Sequence, residues 1–282
     1  MAKLYDQFKE LRDEKSSIII LGLDPKTEEQ REKVVELSKI KEGLIGFKPN
    51  LAFYQDDNGR ARLEQIAQNA GSGMIRLLDL KSPDGAATNY AALKEYSPFF
   101  EYVTIAPGAG CIEETIEKAR DLEQETISMG AMSFPGVLRE INAGLPLFKQ
   151  RVDRAIEAGT SAFVLGATAY IPEDAFEEAI VKYRKLGSDK AITEAEVSDH
   201  ELKTAFANRN ELFSYILEKT TDKDILYLVP GFGRQGGSIE HFLASGIDLK
   251  RCMINAGSDI LKAENPETAL AEMNKTFNKY IK

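Results

Sequence analysis

The chain has 282 residues, 43% of them hydrophobic and 29% charged, with a net charge of −9 and a pI near 5.1. That is enough chain to bury one α/β core, and the even spread of charge, without a low-complexity or single-sign tract, gives no reason to divide it into domains. The acidic balance argues against a nucleic-acid surface, which needs clustered Lys and Arg, but it permits a small anionic ligand held by a few local cations.

The first segment, Met1 to Lys15, is charged and places Leu4, Phe8 and Leu11 on one helical face, without the apolar core of a signal peptide. After it, short apolar or β-branched runs recur, each followed by a charged stretch of helical spacing: Ser17–Asp24, Leu44–Asn50, Met74–Lys81, Tyr102–Pro107, Thr126–Phe134, Ser161–Thr168, Asp224–Phe232 and Cys252–Gly257. Their starts lie roughly 24 to 35 residues apart, the length of a strand, a crossover helix and two short loops. Between the sixth and seventh the interval is about 63, so a helical insertion is expected around 186–221. Runs such as Ile18-Ile19-Ile20-Leu21 do not alternate, as suits strands buried on both faces of a parallel sheet. Thr27 to Gln30 has the form of a capping box, and Asn265-Pro266-Glu267 opens a last helix with Leu270, Met273, Phe277 and Ile281 on one face. Eight βα units predict a single (β/α)₈ TIM barrel over residues 1–282, with a six-stranded doubly wound sheet plus extra elements as the alternative.

Polar residues gather where these strands end: Asp24, Lys48, Asp79 with Lys81 and Asp84, Ser133, Thr168, and Arg234-Gln235. In barrels the site lies at the carboxyl ends of the strands, so this is a candidate site. Asp79 and Lys81 are two apart and are expected to point to the same side, with Lys48 of the adjacent strand flanking Asp79. An alternating row Lys48, Asp79, Lys81, Asp84 would neutralise itself; the competing reading is an ion-pair network that only stabilises the barrel mouth. Cys111 and Cys252 follow no metal-ligand spacing, and Cys252 reads as a buried apolar thiol. His200 and His241 are read as solvated, Thr168 as structural. No apolar run is long enough to span a bilayer, and a cytoplasmic protein is the simplest expectation.

The Asp-x-Lys-x-x-Asp of Asp79, Lys81 and Asp84 resembles the signature of the orotidine 5′-phosphate decarboxylase family, and further matches follow in order along nearly the whole chain. Leu21 to Pro25 resembles that family's first strand, Gly46 to Asn50 its second, and Thr88-Asn89 stands at the family's spacing after the third. Met132 to Gly136 is similar to the pyrimidine-contacting turn, Leu165 to Thr168 to strand six of the longer bacterial branch, and Val229 to Gly237 to the phosphate loop.

The resemblance implies a cofactor-free, metal-free decarboxylation of orotidine 5′-phosphate to uridine 5′-phosphate in pyrimidine biosynthesis. It implies Lys81 as proton donor, Asp79 facing the departing carboxylate, and Lys48 holding Asp79 and reaching the ribose. Asp24 would bind the ribose, Ser133 the pyrimidine, Gln235 the phosphate or the pyrimidine, and Gly236 and Gly237 the phosphate. It further implies a homodimer in which Asp84 and Thr88 serve the partner's site. One departure stands out: the family holds the phosphate with an arginine after strand eight, where this chain has Ser258. Arg234 is expected to take over that charge, with Ser258 adding a hydroxyl bond. The alternatives are a Mg²⁺-dependent sugar-phosphate lyase of the same superfamily, which typically carries a carboxylate at the position of Lys48, and a barrel that binds nucleotides without catalysis.

Overall fold

The structure, a computed structural model, describes residues 3–106, 111–132, 135–187, 197–232 and 237–281; for residues 135–139, 142, 143 and 185–187 it describes the backbone. In chain order the elements are α1 (Lys3–Lys15), β1 (Ile19–Leu23), α2 (Glu28–Leu37), β2 (Gly46–Pro49), α3 (Gly59–Ala70), β3 (Ile75–Ser82), α4 (Ala86–Tyr96), β4 (Tyr102–Ile105), α5 (Ile112–Asp121) and β5 (Glu125–Met129). They continue with α6 (Pro135–Ala158), β6 (Ala162–Val164), α7 (Phe176–Gly187), α8 (Asp199–Thr220), β7 (Leu226–Pro230), α9 (Ile239–Ala244), β8 (Cys252–Ala256), α10 (Ser258–Lys262) and α11 (Pro266–Phe277). The strands pair in sequence order, all parallel, and β8 closes on β1 through Ile19 opposite Ile254. This is the expected (β/α)₈ barrel. Strands such as β1, β2 and β4 are buried at every position, which is why their sequences run apolar instead of alternating.

One end of the barrel is plugged. The amphipathic α1 buries Leu4, Phe8 and Leu11, and its polar groups reach the N-terminal rim. The Leu4 N–H donates to Glu125 Oε2 at 3.2 Å, the Tyr102 hydroxyl donates to Gln7 at 2.7 Å, and Arg12 donates to the Lys250 carbonyl at 2.8 Å. Glu125 and Tyr102 begin their strands and Lys250 precedes β8, so the ligand end must be the opposite one.

The helix signals are met with one change of partner. Thr27 accepts from the Gln30 N–H, but the Gln30 side chain returns to the Lys26 N–H, not to that of Thr27. Asn265 caps α11 by accepting from the Thr268 N–H, and Leu270 and Phe277 are buried beneath it. Between β6 and β7, where an insertion is expected around 186–221, the chain builds the two helices α7 and α8. Most of that range is α8, a barrel-covering helix: Thr220 shares a 2.6 Å hydrogen bond with the Tyr227 hydroxyl, and Leu212, Phe213 and Ile216 join the main core. The added layer is α7, which packs on the outer half of α8 through a separate small cluster of Phe176, Ile180, Leu202, Ala205 and Phe206. Both helices are amphipathic, and periodicity alone does not say which of two such helices faces the barrel.

Candidate active site

The C-terminal ends of β2, β3 and β4 bring one carboxylate under two ammonium groups. Lys48 on β2 and Asp79 on β3 are buried, and Lys48 Nζ donates to Asp79 Oδ2 at 2.8 Å. Lys81 Nζ lies 2.6 Å from Asp79 Oδ1. Thr104 on β4, 1% exposed, donates its hydroxyl to the same oxygen at 2.8 Å. Both carboxylate oxygens are therefore engaged. Burial alone would raise the Asp79 pKa, but the two lysines outweigh it and hold the group ionised well below the usual carboxylate range. Burial likewise works to lower the Lys48 pKa, and Asp79 together with Asp24 overcomes it, so the net shift is upward.

The two lysines differ in access. The side chain of Lys48 is 5% exposed and that of Lys81 39%, so Lys48 fixes Asp79 from within while Lys81 presents its ammonium to the open mouth. The reason for the pairing is not simple strand alternation. The β3–β4 register breaks between Leu78 and Ser82, and Lys81 adopts φ 50°, a left-handed conformation unusual for a residue with a side chain. Its N–H leaves the ladder and donates to Thr104 Oγ1 at 3.0 Å. Thr104 thus holds both Asp79 and the backbone of Lys81. A local conformation of this kind costs about 1–3 kcal/mol and persists where the surroundings impose it, as at functional sites.

Asp84 does not extend the row to a fourth charge. It is exposed, its carboxylate accepts from the Gly85 N–H at 2.6 Å, and it has no ion pair among the described residues. Thr88 is exposed as well. Their loop is pinned by the buried Asn89, whose Oδ1 accepts from Ser82 Oγ at 2.5 Å and from the Asp84 N–H at 3.1 Å. The Asn89 Nδ2 donates to the Asp84 carbonyl at 2.6 Å and to Thr115 at 3.0 Å. The Asp84 backbone is thus fixed by Asn89, and its carboxylate is bonded within its own loop and not to Lys48, Asp79 or Lys81.

Across the mouth, a cleft runs between the ends of β1, β7 and β8, lined by Asp24, Lys26, Phe232, Asn255, Ser258 and Lys262 among others. Asp24 Oδ1 is buried there without a hydrogen-bond partner. Gly237 closes the loop after β7 by donating its N–H to the Gly231 carbonyl at 3.0 Å, and a Cβ on it would stand 2.7 Å from Ala167 Cβ. Ser258 opens α10 at the position matched to the family's arginine. Ser133, Arg234, Gln235 and Gly236 lie outside the described residues. His200 is exposed and His241 half-buried; neither lines this cleft. Cys252 is buried as expected. Among the described residues no three His, Cys, Asp or Glu stand close enough to share a metal ion.

Sequence reasoning passed over Thr104 and Tyr54. Thr104 is a polar residue inside the β4 run Tyr-Val-Thr-Ile, but nothing in that run tells that it meets the end of the third strand. The Tyr54 hydroxyl donates to the Leu23 carbonyl at 2.8 Å next to Asp24, and nothing local in the sequence marks it.

No protein-family model matches the chain. Among curated proteins, the orotidine 5′-phosphate decarboxylase of Haloarcula marismortui is 28% identical over 273 residues, covering 86% of this chain and 83% of that protein. Among solved structures, Leishmania donovani UMP synthase superposes with a TM-score of 0.72 at 20% identity; all of this chain is covered, but it spans only 57% of that one. The Leishmania donovani OMP decarboxylase gives a TM-score of 0.68 at 18% identity, over 98% of both chains.

Proposed function

We propose that this chain, a member of the orotidine 5′-phosphate decarboxylase family, converts orotidine 5′-phosphate to uridine 5′-phosphate and CO₂ with its own side chains and no cofactor. The observation that carries this reading is the buried Asp79 carboxylate held between an enclosed Lys48 and an accessible Lys81.

In this reading the substrate's C6 carboxylate sits against the mouth-facing side of Asp79. The bond from C6 to the carboxylate carbon breaks, CO₂ departs, and the electron pair left on C6 takes a proton from the Lys81 ammonium. Solvent then restores the proton to Lys81. Asp79 has no freedom to turn away or take up a proton, because both its oxygens are bonded and its ionised form is stabilised. A fixed carboxylate beside a second one opposes the bound carboxylate and favours its loss. Lys48 holds Asp79 and reaches a ribose hydroxyl, and the unpartnered Asp24 Oδ1 accepts from the ribose. Ser133 binds the pyrimidine; Arg234, Gln235, Gly236, Gly237 and Ser258 surround the phosphate.

The assembly proposed is a homodimer with shared sites, in which Asp84 and Thr88 of each protomer complete the other's pocket. Their exposure and their rigid support by Asn89 favour that role over a solvated loop. A nucleotide substrate is the ground for proposing a cytoplasmic enzyme; among the described residues no helix is long and apolar enough to cross a membrane.

The test is turnover of orotidine 5′-phosphate followed by loss of orotate absorbance, with Lys81→Ala as control. Activity in the wild type and none in a folded Lys81→Ala supports the reading; turnover that needs Mg²⁺ and stops on chelation transfers the chain to the metal-dependent lyases. The Lys48 ammonium, 2.8 Å from Asp79, argues against those lyases, since it already supplies the cation that a metal would bring to that carboxylate. Binding of uridine 5′-phosphate with no turnover would favour the non-catalytic barrel.

A further inference from the structure

Three charged side chains are buried among the described residues: Lys48, Asp79 and Arg209. The first two neutralise each other. Arg209, on α8 and 3% exposed, has no ion pair among the described residues, and its Nε has no hydrogen-bond partner. Its contact with the Phe206 ring, 5.4 Å from the guanidinium carbon, is a weak substitute for a counter-ion. Burial by itself pushes its pKa down to about 10. A lone buried charge is among the most destabilising features a fold can carry, and an apolar residue of similar size would stabilise the same position. Its presence needs a reason other than packing.

Its position supplies one. The inner face of α8 climbs the barrel wall from Thr220, bonded to Tyr227 on β7, to Ile216, whose Cδ1 is 3.0 Å from where a Cβ on Gly130 would lie, just beyond β5. Phe213 follows, with its ring centroid 5.8 Å from those of Tyr170 and Phe242. Arg209 is one turn further on the same buried face, beside Phe206 of the small cluster that α7 covers. The neighbouring Asn210 clamps the loop after β6, accepting from the Ile171 N–H at 3.0 Å and donating to the Ile171 carbonyl at 2.6 Å. That same loop meets the glycine-rich loop after β7: the Ala167 N–H donates to the Pro230 carbonyl at 2.8 Å, and Gly237 abuts Ala167. One short loop thus connects the base of Arg209 to the glycine-rich segment, in a chain that has Ser258 where an arginine is expected.

We propose that the Arg209 guanidinium is an anion receptor for the 5′-phosphate monoester of the nucleotide, supplying from α8 the planar cation that the β8 side lacks. This rests on the reading of the substrate as a nucleoside monophosphate. A fork of N–H donors held without a protein carboxylate is available to a dianion at no competing cost, and the dianion removes the destabilisation of the empty state.

The experiment is thermal unfolding of the wild type, Arg209→Met and Arg209→Lys with inorganic phosphate, uridine 5′-phosphate and uridine. The unliganded Arg209→Met should melt at or above the wild-type midpoint, because the uncompensated charge is gone. Phosphate and uridine 5′-phosphate should stabilise the wild type, and the affinity of Arg209→Met for the nucleotide should fall by about tenfold or more, with uridine bound equally by both. Arg209→Lys, which keeps the charge but not the fork, should fall between them and should raise KM for orotidine 5′-phosphate more than it lowers kcat. Two results overturn the proposal: an Arg209→Met that binds uridine 5′-phosphate as the wild type does, or a wild type stabilised by neither anion. Should Arg209→Met not fold, unchanged nucleotide affinity in Arg209→Lys overturns it. A wild type that binds uridine 5′-phosphate through Arg209 but does not turn over orotidine 5′-phosphate leaves this inference standing and removes the decarboxylase reading.

Discussion

Replacing Thr104 by Val keeps the shape of the side chain and deletes one hydroxyl, which in this structure serves two partners. It donates to the buried Asp79 carboxylate at 2.8 Å and accepts from the Lys81 N–H at 3.0 Å. A hydrogen bond to a charged group is worth about 1.5–3 kcal/mol, and a part-buried N–H left without an acceptor costs about 1–3 kcal/mol. The extra methyl returns about 0.8 kcal/mol. The expected loss of stability is therefore roughly 2–5 kcal/mol, read as a shift in urea midpoint at unchanged slope. Catalysis should suffer separately. The left-handed turn at Lys81 is held by this bond, and freeing it lets the ammonium drift from its place by a fraction of an ångström to an ångström, enough to lower kcat by about tenfold to a hundredfold with little change in KM. Thr104→Ser, which keeps the hydroxyl, should recover most of both losses. A Val variant with unchanged midpoint and kcat, or a Ser variant no better than Val, would show that Thr104 does not position the site.

The remaining predictions follow from the same geometry. Because the Asp79 pKa is depressed in the folded state, its stabilisation is complete above the unfolded value of about 4 and is lost as pH falls toward the folded one. Lys48, raised, contributes fully below about 10.4 and loses that only as pH climbs past its folded value. Stability of the pair should thus be level from about pH 5 to about pH 10, and Asp79→Asn should flatten the acid limb of urea midpoints; an unaltered acid slope would falsify the assignment. Mixing inactive Lys81→Ala with inactive Asp84→Asn should restore activity, since one composite site in the heterodimer carries neither lesion. Proven subunit exchange without recovery would mean the sites are not shared. Arg234→Ala should weaken orotidine 5′-phosphate by about tenfold or more, roughly 1.5–3 kcal/mol, while sparing orotidine; equal effects on both would place Arg234 away from the phosphate.

The sequence by itself determined the barrel and most of its charged site. Eight non-alternating apolar runs call for strands buried on both faces, and eight units favour a closed sheet over the doubly wound alternative, as the pairing order bears out. Lys48, Asp79 and Lys81 were legible because unpaired charges at neighbouring strand ends must find each other. Tertiary structure decided the rest. The pairing of Asp79 with Lys81 depends on a broken register and on Thr104, a contact 25 residues away in sequence that no local pattern encodes. Asp84, close to both in sequence, stays exposed and outside the ion-pair row, its backbone tied to Asn89. The choice of α8 over α7 as the covering helix, and with it the burial of Arg209, arose from which apolar face fitted the gap between β6 and β7. Periodicity records that a helix has an apolar face; only packing determines what that face meets.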